Sequence, residues 1–399
     1  MGRVLTPAPV ALVVLLAVAS WHTASNLGGV AADLAYTAAV AFATLVVLPR
    51  ATDRLRVAPP WAVPVVAAVG AVALVAAFVI GVPDGLHDAL GGGSDRANAL
   101  DVALTELASG RYPYTATTYL GNPITPLPGA LLLAAPFWWV TGSAAWQNVA
   151  WTLLLLPVLN GGFRLRPGPT ALWVLAVLGG LEVLREFLIG DDLVTSVVPA
   201  VAAAAWTLRV ARHRSVVLPA TAAVALGVAT CTRPHLALVV VVVVAAVGTM
   251  AGARRAVVVG GVAGLTWLVL IVPFLLGGVG RFSPAHVVAK VTGDRSVTWA
   301  FVVVALLTLA LLIVALRVVP PSSATAVAWC CAAVLFAPTL LSLGRSLALG
   351  PATEVADLTL GAAAVPFALW AMAMSEGDRV SGWRPTRAVR DSPRTANAP

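Results

Sequence analysis

Long apolar runs separated by short polar intervals set the pattern of this chain. The runs are about 17–23 residues each, enough for a helix to cross the hydrocarbon core of a bilayer. They predict spans at roughly 7–24, 28–48, 60–82, 145–160, 170–189, 193–209, 215–230, 234–251, 256–278, 297–316, 323–342 and 353–374. The expected fold is therefore all-α, a polytopic membrane domain over residues 1–374 with about twelve transmembrane helices. The first run, Pro7 to Ser25, reads as a retained anchor because further spans follow it.

The longest polar interval, Gly81 to Thr125, interrupts this pattern and holds an outer loop at 83–127. It carries Asp84, Asp88, Asp95, Asp101 and Glu106 against Arg96 and Arg111. Within it Leu100, Ala103, Leu104 and Leu107 recur at i, i+3, i+4, i+7. That spacing predicts an amphipathic helix over Ala97–Ser109, lying on the membrane surface with its apolar face down. Ser94 or Asp95 would begin the helix after the Gly91–Gly93 run, giving Asp95 a plain alternative role as an N-cap. The next apolar stretch, Pro128 to Val140, is too short to cross comfortably. It is expected to form a re-entrant or interfacial helix at 128–140.

Composition agrees with the membrane reading: 60% of residues are hydrophobic, 11% are charged and the mean hydropathy is +0.94. The net charge of +8 does not call for nucleic acid, since the arginines sit mostly between spans. Arg50, Arg54 and Arg56, then Arg209, Arg212 and Arg214, then Arg254 and Arg255, form clusters that the positive-inside rule puts in the cytoplasm. Both termini then face the cytoplasm and the 83–127 loop faces out. Residues 375–399, basic and rich in Pro, Ser and Thr, read as a disordered tail whose arginines can touch anionic lipid headgroups. Cys231, Cys330 and Cys331 have no disulfide or metal spacing, and there is no phosphate loop, dinucleotide motif or nucleophile elbow.

One order of elements is distinctive: an acid, a helix, Leu107-Ala-Ser-Gly-Arg-Tyr-Pro-Tyr114, a short loop and a Pro-rich apolar helix. It resembles the first outer loop of GT-C glycosyltransferases, and most closely the polyprenol-phosphate-mannose-dependent mannosyltransferases of actinobacteria (glycosyltransferase family 87). Asp95 precedes Gly110-Arg111-Tyr112-Pro113-Tyr114 by fifteen residues, and Asn122-Pro123-Ile124-Thr125-Pro126 stands where the family has its Pro-rich turn. The resemblance covers this loop well and the remainder as a hydropathy pattern.

It implies a GT-C-like fold with juxtamembrane helices and an inverting transfer of a hexose, mannose by the resemblance, from a polyprenyl-phosphate donor to a lipid-linked or cell-envelope glycan acceptor. No cofactor is implied, with a divalent cation left open. A sugar hydroxyl is a weak nucleophile, so a carboxylate must take its proton. The resemblance gives that role to Asp95, with Asp101 second, and brings Arg111, Tyr112 and Tyr114 into substrate contact.

The leaving phosphate needs cations, and three other segments offer them. Arg185 lies one turn inside a span end with Glu186, Asp191 and Asp192 following; its plain rival is an ion pair that closes the bundle. Arg233 and His235 lie between two spans, where an arginine can simply snorkel and a histidine can simply start a helix. The 279–296 loop has Arg281, His286, Lys290 and Arg295, with Ser283-Pro284 as an N-cap and N1 pair. Trp138, Trp139, Trp146 and Trp151 read as interfacial anchors. Two rival classes remain: a transporter or flippase of lipid-linked sugars, and a scaffold subunit in which no single acid matters.

Overall fold

The computed structural model describes residues 7–81, 95–278, 281–285, 309–310, 312–318, 321–349 and 358–381. Among these there is no strand, only an isolated bridge between Thr117 and Pro123. The named α-helices are α1 (Pro7–Phe42), α2 (Leu48–Val57), α3 (Ala62–Gly81), α4 (Arg96–Ala108), α5 (Pro128–Thr141), α6 (Trp146–Asn160), α7 (Pro167–Gly179), α8 (Leu181–Ile189), α9 (Val198–Val210), α10 (Val217–Thr230), α11 (Ala237–Ala251), α12 (Ala253–Leu276), α13 (Ala324–Leu349) and α14 (Val365–Ser381). Five helical runs are long and apolar enough to cross a membrane: Pro7–Val57, Ala62–Gly81, Pro234–Ala251, Ala253–Leu276 and Ala324–Gly344. The fold is all-helical and of membrane-protein character.

The first of these runs is a hairpin. Gly28 and Gly29 leave helical geometry, and Gly29 takes φ 63°, open to glycine without strain. Ser20 and Tyr36 then meet at 3.1 Å, where an unbroken helix would hold them about 24 Å apart. The 7–24 and 28–48 runs are thus antiparallel neighbours. The 170–189 run is likewise divided, but at Gly179–Gly180 into α7 and α8. The freed N–H of Leu181 donates to the Tyr36 hydroxyl at 3.0 Å and that of Glu182 to Ser20 Oγ at 3.0 Å. An interrupted helix needs such partners when its backbone cannot reach water.

Small residues let the helices approach closely, as expected where lipid supplies no hydrophobic drive between them. A Cβ on Gly227 of α10 would lie 2.6 Å from Thr266 Cβ and 2.8 Å from Ala263 O of α12. The main core runs through α1, α6–α11, α13 and α14, with Trp173, Phe187 and Phe367 fully buried.

A second, smaller core joins α4, α5 and the 112–127 segment around Leu100, Tyr114, Ile124, Leu127 and Leu131. Here the structure corrects one expectation: the apolar face of α4 (Leu100, Ala103, Leu104) is covered by protein rather than laid on lipid. The short helix α5 has both ends tied to this region. Its first turn bonds through Leu127 N–H to Thr232 O (3.2 Å) and Gly129 N–H to Cys231 O (2.9 Å). Just past its last turn, Ala144 N–H donates to Asp101 of α4.

Candidate functional site

The two ends of the bundle differ in chemistry. At one end arginines donate to backbone carbonyls: Arg209 donates to Gly161 O (3.0 Å), Arg166 to Leu159 O (3.1 Å), Arg212 to Met250 O (2.8 Å) and Arg255 to His213 O (2.9 Å). The first three satisfy orphan carbonyls at the negative pole of a helix, and Arg255 bonds the loop between α9 and α10. Asp95, Asp101, Glu106, Glu182, Glu186, Asp191 and Asp192 lie elsewhere, on or beside α4 and on or just after α8.

Asp95 sits immediately before α4, yet its side chain makes no capping bond, which overturns the N-cap reading. A competing partner explains this. Thr118 Oγ1 donates to Asp95 Oδ2 at 2.6 Å, and Asn122 Nδ2 donates to the same oxygen at 2.9 Å. Both belong to a tight turn closed by Thr118 N–H to Asn122 O at 2.9 Å, with Gly121 at φ +74°. Tyr119 N–H to Asn98 Oδ1, 3.0 Å, holds that turn on α4. The carboxylate is anchored through one oxygen, and among the described residues its Oδ1 accepts no hydrogen bond.

Arg96, next in the chain, enters a buried charge cluster. Its Nη1 lies 2.8 Å from both carboxylate oxygens of Asp191. Arg233 pairs with Asp192 and donates from Nε to Ser196 Oγ at 3.3 Å. Burial pushes Asp191 up, but the guanidiniums of Arg96 and Arg233 outweigh it and hold the carboxyl below the usual range. Burial likewise works against the charge of Arg96, and its acidic neighbours, Asp191 first, more than offset it. Asn148, fully buried, positions the turn: its Nδ2 donates to Asp191 O (2.6 Å) and its Oδ1 accepts from Thr195 Oγ1 (2.8 Å). His235 lies beside Arg233 and Arg96. Behind them Arg185 pairs with Glu182 at 3.0 Å, and Glu186 accepts Val194 N–H at 2.7 Å through Oε2.

The other expected site residues sit apart from this cluster. Asp101 accepts Ala144 N–H (2.6 Å) and the Ser143 hydroxyl (3.2 Å). Burial raises its pKa, partly opposed by those two donors. Both oxygens are thus engaged in closing the α5–α6 turn. Arg111 forms an exposed pair with Glu106 (2.6 Å). Tyr112 donates to Phe274 O (2.8 Å) and Tyr114, buried, donates to Pro126 O (3.1 Å). Their rings pack with Phe274 and Phe282 at 4.9–6.3 Å, and Arg281 stands beside Tyr112. The Ser283 hydroxyl donates to Ile124 O. His286, Lys290 and Arg295, with Asp84 and Asp88, lie outside the described residues.

Between α4, α5 and α12 runs an open apolar groove of about 430 Å³, lined by Leu104, Leu107, Leu131, Trp138, Leu270 and Phe274 among others. Trp138 and Trp139 thus face the groove, while Trp146 packs on Phe78 (4.9 Å) and Trp151 on Phe137 (5.5 Å). Among the described residues no group of three or more His, Cys, Asp or Glu is placed to hold a metal ion.

Sequence reasoning named Arg96 and Asn122 without giving either side chain a role in the site, and did not pick out Thr118, Asn148 or Ser196. Asn148 left the plainest trace, a carboxamide inside an apolar run, where a polar side chain needs a reason. Comparison with protein-family models, curated proteins and solved structures finds no match to this chain.

Proposed function

We propose that this chain is an integral membrane glycosyltransferase. It moves a hexose, mannose in the reading taken from the resemblance, from a polyprenyl phosphate to a lipid-linked or cell-envelope glycan on the outer face. The observation that carries the reading is the shared helix: α4 begins at the anchored carboxylate of Asp95 and, two to three turns on, lines an apolar groove of about 430 Å³, the chemistry a prenyl chain needs.

In this reading the acceptor hydroxyl oxygen attacks the anomeric carbon while Asp95 Oδ1 takes its proton. The bond from that carbon to the phosphate oxygen breaks, and the phosphate leaves with the electron pair. Thr118 and Asn122 fix the carboxylate so that little reorganisation is needed. Arg96 and Arg233 already hold Asp191 and Asp192. Arg281, beside Tyr112 at the Phe274 end of the groove, is therefore the cation best disposed to receive the phosphate.

The test is transfer in isolated membranes supplied with labelled polyprenyl-phosphate mannose and a crude acceptor lipid. The parent is expected to transfer, and Asp95→Asn at equal expression to lose roughly 10²-fold or more. Equal transfer by both would remove Asp95 from the chemistry.

A second reading, a transporter or flippase of lipid-linked sugars, is favoured by the interrupted α7–α8 pair, since broken helices carrying charge mark transport pathways. Flipping without transfer in the same membranes would select it.

A further inference from the structure

Each arginine in the buried cluster holds its own carboxylate: Arg185 holds Glu182, Arg96 holds Asp191 and Arg233 holds Asp192. Glu186 is the fourth carboxylate and has no such partner. It is 1% exposed; Oε2 accepts only the neutral Val194 N–H, and Oε1, also buried, accepts nothing among the described residues. Glu182 lies one turn before it on the same helix, and the Asp191 carboxylate acts on it from the following loop. Arg96 of α4 faces it from across the cluster. Of the other described elements packed on α8, α3, α7 and the 359–364 turn bring no titratable group, and α1 carries His22, the buried Asp33, which accepts from the Ser25 hydroxyl, and Tyr36, which bonds at the head of α8.

A buried carboxylate with no cation of its own, beside two acids that each hold an arginine, costs far more than the neutral acid. We infer that Glu186 is a proton-binding site: it carries a proton on Oε1 at neutral pH, and releasing that proton to water draws Arg96 away from Asp191. The bond broken is O–H, the electron pair stays on Glu186, and the new charge competes with Asp191 for the Arg96 guanidinium, which faces both. Protonation of Glu186 thus governs whether the pair next to Asp95 stays closed. The inference holds whether the chain transfers or transports sugars.

Infrared spectroscopy of the full chain in detergent at about pH 8, well above an ordinary glutamate pKa of about 4.3, reads this directly. A protonated-carboxyl stretch is expected in the parent, lost in Glu186→Gln and retained in Glu182→Gln and Asp101→Asn. A folded acid that keeps its proton loses stability as pH rises past the unfolded value. Glu186→Gln, which copies the neutral acid, should therefore show a smaller fall in melting temperature between about pH 5 and pH 8. Absence of the stretch in the parent overturns the inference even if no variant folds, and so does a stretch that survives Glu186→Gln or disappears in Glu182→Gln.

Discussion

Single residues decide which acids are free for chemistry. Asp101 and Asp95 stand on the same helix, and their spacing in the sequence makes both candidates for the base. Asp101 spends both oxygens on the turn before α6, whereas Asp95 is held by one oxygen only. The distinction was invisible in the sequence because the donors, Thr118 and Asn122, lie 23 and 27 residues away on a loop with no periodicity. Asp191 gives a stability test at this scale. Asp191→Asn removes a charge and leaves Arg96 with a side chain only 29% exposed. The expected cost is about 3 kcal/mol, the low end for breaking a buried pair because Arg96 is partly wetted. The folded protein holds Asp191 ionised below its usual pKa, so its contribution is present above about pH 4 and is lost as pH falls through the folded value. Melting temperatures in detergent between about pH 3 and pH 6 should show a shallower acid-side loss in the variant than in the parent.

At the scale of elements, hydropathy located most helices but not how they end. The 170–189 run is one apolar window in sequence; it breaks at Gly180 because Ser20 and Tyr36, on a hairpin more than 140 residues earlier, supply partners for the freed N–H groups. No local pattern encodes that. Helix α5 shows the same dependence on distant backbone. Its length marked it as unable to cross, but its docking rests on Gly129, whose absent Cβ would lie 2.5 Å from both Val228 O and Cys231 O. Backbone cannot give way as a side chain does, so Gly129→Ala should cost about 1–3 kcal/mol. It should also weaken the groove that α5 helps to line. Gly264→Ala is the control, since nothing lies within 4 Å of its position in α12. That change should be neutral or stabilising by up to about 1 kcal/mol. Similar losses in both variants, measured by thermal melting, would remove the close approach as the cause.

For the whole molecule, twelve runs were expected, whereas five helical runs reach membrane-spanning length among the described residues. The rest include α6, α7, α9 and α10 at 13–15 residues, or about 20–22 Å, short of a hydrocarbon core of about 30 Å. They are nonetheless packed into the same core as the long helices, because a helix shielded by neighbours can end early where its turn finds internal partners. The separation into an arginine-capped end and an acid-bearing end survives this shortening, and it makes the orientation testable. The chain's own cysteines interfere little: Cys231 and Cys331 are buried and Cys330 is half-buried. Ser109, exposed just past α4, and Ser215, exposed among the arginines between α9 and α10, report on opposite ends. In intact cells a membrane-impermeant thiol reagent should label Ser109→Cys and spare Ser215→Cys, with the second labelled only after permeabilisation. The driving force is the bias of lysine and arginine toward the cytoplasmic side. Labelling of Ser215→Cys alone in intact cells would turn the molecule over. It would put Asp95 on the cytoplasmic side, where a nucleotide-linked sugar donor is at hand, and the case for a polyprenyl-phosphate donor would then rest on the groove alone.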